Sequence, residues 1–106
     1  TNSGTVSFSK GTPHADRTHL DRVGNVCVLS AHVNSMNAEI DASAFVKVGT
    51  VDILPQKETM FVVQCAVSNA ILAGHIKTNG DIELINMQNA TITINTIMFQ
   101  CAYITA

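Results

Sequence analysis

At 106 residues, 46% of them apolar, the chain has enough material for one packed domain spanning 1–106, yet only 13% are charged, against roughly 25% in an average soluble domain. The net charge of −2 and the absence of any basic stripe exclude a conventional nucleic-acid module, and the high apolar content without low-complexity tracts excludes disorder. So little charge implies that part of the apolar surface is covered by another chain.

In chain order, Thr5-Val6-Ser7-Phe8-Ser9 alternates with period two, as a strand does. The stretch 11-GTPHADRTHLDRVG-24 is polar and rich in turn formers, and reads as a long loop with at most one helical turn. Asn25 to Met36 reads as a strand with Val26 and Val28 on one face and Cys27 and Leu29 on the other, followed by Ala31 and Val33; Asn34 to Asn37 reads as a turn or bulge. Ala42 to Val51 reads as a further strand with a period-two portion, Phe45-Val46-Lys47-Val48. A connector follows at 52-DILPQKET-59, where Pro55 would break a central ladder. Met60 to Ala66 is nearly continuously apolar, the pattern of a strand covered on both sides. Ile71–Thr78 and Asp81–Met87 flank Asn79-Gly80, a strong hairpin signal that predicts a type I′ turn. Ala90 to Ile104 reads as one last strand, opening on a β-prone Thr-Ile-Thr-Ile run. About seven strands with hardly any helical periodicity predict an all-β fold, a small antiparallel barrel or sandwich.

Cys27, Cys65 and Cys101 each sit inside an apolar run and form no C-x-x-C pair, so buried thiols are expected rather than a zinc or redox site. No run approaches the roughly 18 apolar residues of a membrane span, and no basic region followed by an apolar segment marks a signal peptide, so membrane insertion is not expected. The start at Thr1, without methionine, reads as that of a C-terminal piece of a longer chain.

Three constellations are candidate sites. In 14-HADRTHLD-21, His14, Asp16, His19 and Asp21 are metal-ligand types, but their spacing matches no catalytic zinc motif, and Arg17 and Arg22 would oppose a cation. A solvated loop is the better reading. As a site, Asp16 and Arg17 suit a polyhydroxylated ligand, one accepting and the other donating in a fork. His32 and Asn34 point to one face of their strand, as do His75 and Lys77 of theirs. For both pairs the alternative is an ordinary solvated sheet face. No G-x-S-x-G elbow, phosphate-cradling glycine loop or cysteine–histidine nucleophile motif is present, and Glu39, Asp41, Glu58 and Glu83 form no evident acid/base pair. Neither an enzyme nor a cofactor is expected.

The order of "GTVSF", "FVVQCAV", "ILAGHIKTNGDIEL" and a Thr/Ile-rich end closing on "IMFQCAYITA" resembles the C-terminal head domain of receptor-binding proteins from tailed phages of lactococci and related bacteria. The resemblance spans nearly the whole chain through short, degenerate motifs. It implies a homotrimeric head at the distal tail or baseplate of the virion, beside other baseplate proteins and assembled in the reducing host cytoplasm. Such a head binds host cell-wall polysaccharide for adsorption. In some related heads a His-x-Asp pair before this hairpin hydrogen-bonds the sugar; here His75 matches the histidine and Lys77 replaces the carboxylate. An ammonium only donates, so Lys77 implies a phosphorylated polysaccharide. The resemblance thus ranks His75 and Lys77 first, His32 and Asn34 next, then Asp16 and Arg17. A ligand-free trimerisation cap and a wall-polysaccharide hydrolase are the competing readings.

Overall fold

The computed structural model describes residues 2–65 and 72–106. Among them lie twelve strands: β1 (Asn2–Gly4), β2 (Val6–Phe8), β3 (Thr12–Pro13), β4 (His19–Val23), β5 (Val26–Asn34), β6 (Ala38–Ile40), β7 (Phe45–Val51), β8 (Thr59–Cys65), β9 (Leu72–Ile76), β10 (Asp81–Asn86), β11 (Ile92–Ile94) and β12 (Ile97–Ile104). The expected ends of two strands, at Ala66 and Ile71, lie outside the described residues.

Ten strands form one antiparallel sheet in the order β1-β4-β5-β12-β8-β9-β10-β7-β2, with β3 also paired to β5. Its two terminal strands, β1 and β2, are separated in the chain by Thr5 alone, so one continuous segment borders both edges. Thr5 locks that seam: its amide donates to Asp52 Oδ1 at 2.7 Å, and its carbonyl accepts from the Asp52 amide at 3.1 Å. The result is a nearly closed, barrel-like sheet, in which few edges are left open to other chains.

Alternation along the strands decides which side chains enter. Cys27, Leu29, Ala31 and Val33 of β5 are buried, as are Ile97, Phe99, Cys101 and Tyr103 of β12. Register places Phe99 opposite Ala31 and Tyr103 opposite Cys27, so the two sets share one face. Each large apolar side chain so buried contributes roughly 1.5–3 kcal/mol. Burial pushes the Cys101 thiol up to about 11, which keeps it protonated and unreactive at neutral pH. Tyr103 turns its hydroxyl to the Ile53 carbonyl at 2.6 Å, and burial beside Cys27 pushes the phenol further above its ordinary value.

Four local expectations change. The 11–24 stretch is not a plain loop, because β3 and β4 both pair with β5. In β4 one inward leucine, Leu20 at 1% exposure, anchors a strand whose other residues are mostly polar. β8 is covered on one side only: Phe61 and Val63 point inward while Met60 and Val62 are exposed. The last expected strand is two, because Asn95 turns away to accept the Met36 amide on its carbonyl and the Asn37 amide on its side chain. This lets β11 pair with β6 as a separate two-stranded sheet, whose Ala38, Ile40 and Ile94 join the same core.

The hairpin joining β9 to β10 is present, but its turn differs from the type I′ expectation. The Gly80 amide bonds the Lys77 carbonyl, the Lys77 amide bonds the Asp81 carbonyl, and Gly80 carries the positive φ of 95° while Asn79 does not. These are the marks of a three-residue loop, a type I turn closed by a left-handed glycine. Asn79 spends its side chain accepting the Asp81 amide at 3.0 Å, which favours this form.

Candidate functional site

A concavity lies on the outer face of the sheet and arises from the way two strands part. Among the described residues the β12–β8 ladder is registered at two positions, Ile97 with Cys65 and Met98 with Gln64. Beyond Met98, β12 stays with β5, whereas β8 continues with β9. Beneath the gap Phe61 and Phe99 stack at 4.2 Å with an interplanar angle of 10°. Phe99 closes the floor of a cavity of about 450 Å³ whose walls include Ser30, His32, Gln64, Gln100 and Val62.

The polypeptide between β3 and β4 completes the rim. Pro13 is registered with Val33 and His19 with Ser30, so five residues bulge out beside a short piece of β5. The His14 amide donates to the His32 carbonyl at 2.8 Å, and the Thr18 hydroxyl bonds both the carbonyl and the amide of His32. Pinned at both ends, the bulge projects Arg17 over the pocket, where Nη1 lies 3.3 Å from His32 Nδ1. A guanidinium can only donate, so in this contact Nδ1 is the acceptor. His14 lies against the same ring, with centroids 5.4 Å apart.

Of the residues singled out from sequence, His32 and Arg17 thus meet at one pocket. Asn34 lies two residues along β5, and its Oδ1 accepts from the Thr96 hydroxyl at 3.4 Å. Asp16 is an exposed residue of the bulge and does not line the cavity. His19 and Asp21 pair with each other at 2.7 Å on β4.

His75 and Lys77 are in a different part of the sheet. His75 is 5% exposed, with Nδ1 2.7 Å from Glu58 and Nε2 2.5 Å from Glu83, and Phe45 packs against its ring with centroids 5.4 Å apart. Both nitrogens are therefore engaged by carboxylates, which sit on opposite sides of the ring and cannot converge on one ion. Lys77 lies beyond the end of β9, in the turn, and is half-buried.

Ser30, Gln64 and Gln100 were not singled out from sequence, although a signal exists. "VVQC" and "MFQC" each interrupt an apolar strand with glutamine, and an outward amide among apolar neighbours marks a face with hydrogen bonds to offer. Gln100 uses one of them on the Ser30 hydroxyl at 3.2 Å.

Fold and pocket together define a nearly closed antiparallel β-barrel with a polar-walled, aromatic-floored recess on its outer surface. No family model matches the chain, and no curated protein does. Among solved structures, the chain is similar to the head domain of phage bIL170, described with the receptor-binding domains of lactococcal phages; the match covers 96% of this chain and 100% of that one, with a TM-score of 0.63 and 14% sequence identity. The chain therefore has the fold of a lactococcal phage head domain, as the sequence resemblance anticipated.

Proposed function

We propose that this chain is the head of a phage receptor-binding protein, a non-enzymatic module that attaches the virion's distal tail to saccharide on the host cell wall. The observation that carries the reading is the Arg17–His32 pocket on a barrel of phage-head fold. Its walls offer hydroxyl, amide, imidazole and guanidinium groups, which together donate to and accept from sugar hydroxyls. Its Val62 and Met98 surfaces suit the apolar face of a pyranose ring. The proposal thereby moves from the His75 and Lys77 region, where the imidazole is already engaged, to Arg17 and His32, with Ser30, Gln64 and Gln100 beside them. Asn34 and Asp16 lie at its margin and would contact only a longer chain of sugars.

A homotrimer is part of this reading. Register aligns Phe45, Ile85 and Ala73 across three neighbouring strands on the outer face, and Phe45 is 57% exposed. Such an apolar row in a chain so poor in charge supports a protein partner. Sedimentation showing only an 11.3 kDa species would remove it. Several heads on one virion would multiply individually weak contacts.

Fluorescently labelled protein should bind intact lactococcal cells, and Arg17→Ala and Gln64→Ala should each weaken binding by about tenfold, the effect of losing one charge-assisted or well-placed hydrogen bond. Undiminished binding by both variants sinks the pocket assignment.

A further inference from the structure

We infer that Thr18 is a positioning residue of the recess: its hydroxyl stands in for a missing ladder partner of β5 and so decides where Arg17 is presented. It would control affinity without touching the sugar, and it rests on the saccharide reading for the ligand. Along one side of β5, Asn34 is registered with Thr12 and Ser30 with His19. His32 lies between them, and no residue of β3 or β4 is registered with it. Its backbone is served by the bulge instead. The His32 carbonyl accepts the His14 amide at 2.8 Å and the Thr18 hydroxyl at 3.1 Å. The same hydroxyl oxygen accepts the His32 amide at 3.2 Å. One side chain thus donates to and accepts from a single residue, the exchange that a strand partner makes with its backbone. A hydroxyl can do both and a methyl group can do neither.

Arg17 is bracketed by these contacts. Its amide donates to the His14 carbonyl at 3.2 Å, which closes a four-residue turn over 14–17. The turn is tied to β5 at its first residue by the His14 amide, and just past its last by the Thr18 hydroxyl. With the backbone held on both sides, the guanidinium reaches His32 Nδ1 at 3.3 Å. Thr18 is half-buried and does not line the recess, whereas Arg17 does. A change at Thr18 therefore reaches a bound sugar through Arg17. Holding a donor in place beforehand removes part of the ordering cost that binding would otherwise carry.

Two readouts test the inference: titration with oligosaccharides released from lactococcal cell walls, and ligand-free NOEs between the Arg17 and His32 side chains. Thr18→Val keeps the shape and removes the hydroxyl. It should weaken binding about fivefold and abolish the NOEs, while Thr18→Ser keeps both. In an Arg17→Ala background, Thr18→Val should cost no further affinity, because its effect passes through Arg17. Thr18→Cys, a weaker donor and acceptor, should fall between serine and valine under reducing conditions, and it carries the test if the valine variant does not fold. A merely structural threonine would lower the urea midpoint and leave the affinity and NOEs of the folded protein unchanged, which overturns the inference. An equal further loss in the Arg17→Ala background also overturns it, since Thr18 would then act independently. Loss of the NOEs in Thr18→Val, with no saccharide bound by any form, supports the positioning and overturns the saccharide reading.

Discussion

Replacing Asn86 by alanine is expected to lower the unfolding free energy by about 3 kcal/mol and the melting temperature by roughly 15 °C. Asn86 is wholly buried at the end of β10. Its side-chain amide donates to the carbonyls of Ile40 at 2.9 Å, Asp41 at 3.2 Å and Ala90 at 2.8 Å, and its oxygen accepts the Gln88 amide at 2.9 Å. With two hydrogens for three carbonyls, one hydrogen is shared. These contacts tie the two-stranded β6–β11 sheet and its neighbouring turns to the main sheet, supplying partners to backbone groups that cannot all reach a ladder. Removing the amide takes a partner from the buried Ile40 carbonyl and from two part-buried ones, and a buried group left unsatisfied costs more than the net value of its bond. Asn86→Asp separates chemistry from volume, because a carboxylate of the same shape cannot donate. Thermal and urea unfolding should show the aspartate variant at least as unstable as the alanine one; native-like stability of Asn86→Asp would contradict this account.

Gly74→Ala should cost about 3 kcal/mol through overpacking. A Cβ on Gly74 would stand 2.3 Å from Phe61 Cε2 and 2.4 Å from Cζ. Phe61 cannot withdraw freely, because its other face is stacked on Phe99 at 4.2 Å. Glycine is required here by the close approach of a ring to the β9 backbone. Since Phe99 is also the pocket floor, the same substitution should weaken saccharide binding. The cause can be isolated with Phe61→Leu. Urea denaturation of the double variant should recover part of the loss, a coupling expected of residues in contact. Simple additivity of the two changes would rule out the ring–backbone clash as the source.

What the sequence disclosed follows from how local each determinant is. Alternation identified β5 and the later part of the last strand, because Cys27, Leu29, Ala31 and Val33 face a core on one side only. It overstated the cover on β8, where the apolar Met60 and Val62 are exposed. An outward valine on an exposed face has the same sequence signature as a buried one. The strands β3, β4 and β6 were missed because they are short and polar and held by pairing with partners distant in sequence. Asn79-Gly80 marked the hairpin correctly, but its turn type depends on which residue takes the positive φ, and Gly80 alone does.

The candidate site divides in the same way. His32 and Arg17 were visible as polar residues of suitable type, yet their meeting depends on β3 and β4 flanking a short piece of β5. Two residues of equally suitable type, His75 and Lys77, are separated by the end of β9, and Glu58 and Glu83 engage the histidine. Glu83 is opposite His75 in the ladder, a relation only the register reveals. The pocket itself comes from the parting of β8 and β12 after two registered positions, which no local pattern encodes.

The central claim is that the Arg17–His32 pocket receives cell-wall saccharide. Its most direct test is an amide shift map of the isotopically labelled protein titrated with oligosaccharides released from lactococcal cell walls. The account predicts saturable shifts concentrated at Arg17, Ser30, His32, Gln64 and Gln100, with His75 and Lys77 little changed. Shifts centred on the β9–β10 hairpin, or none at saturating saccharide, would contradict it.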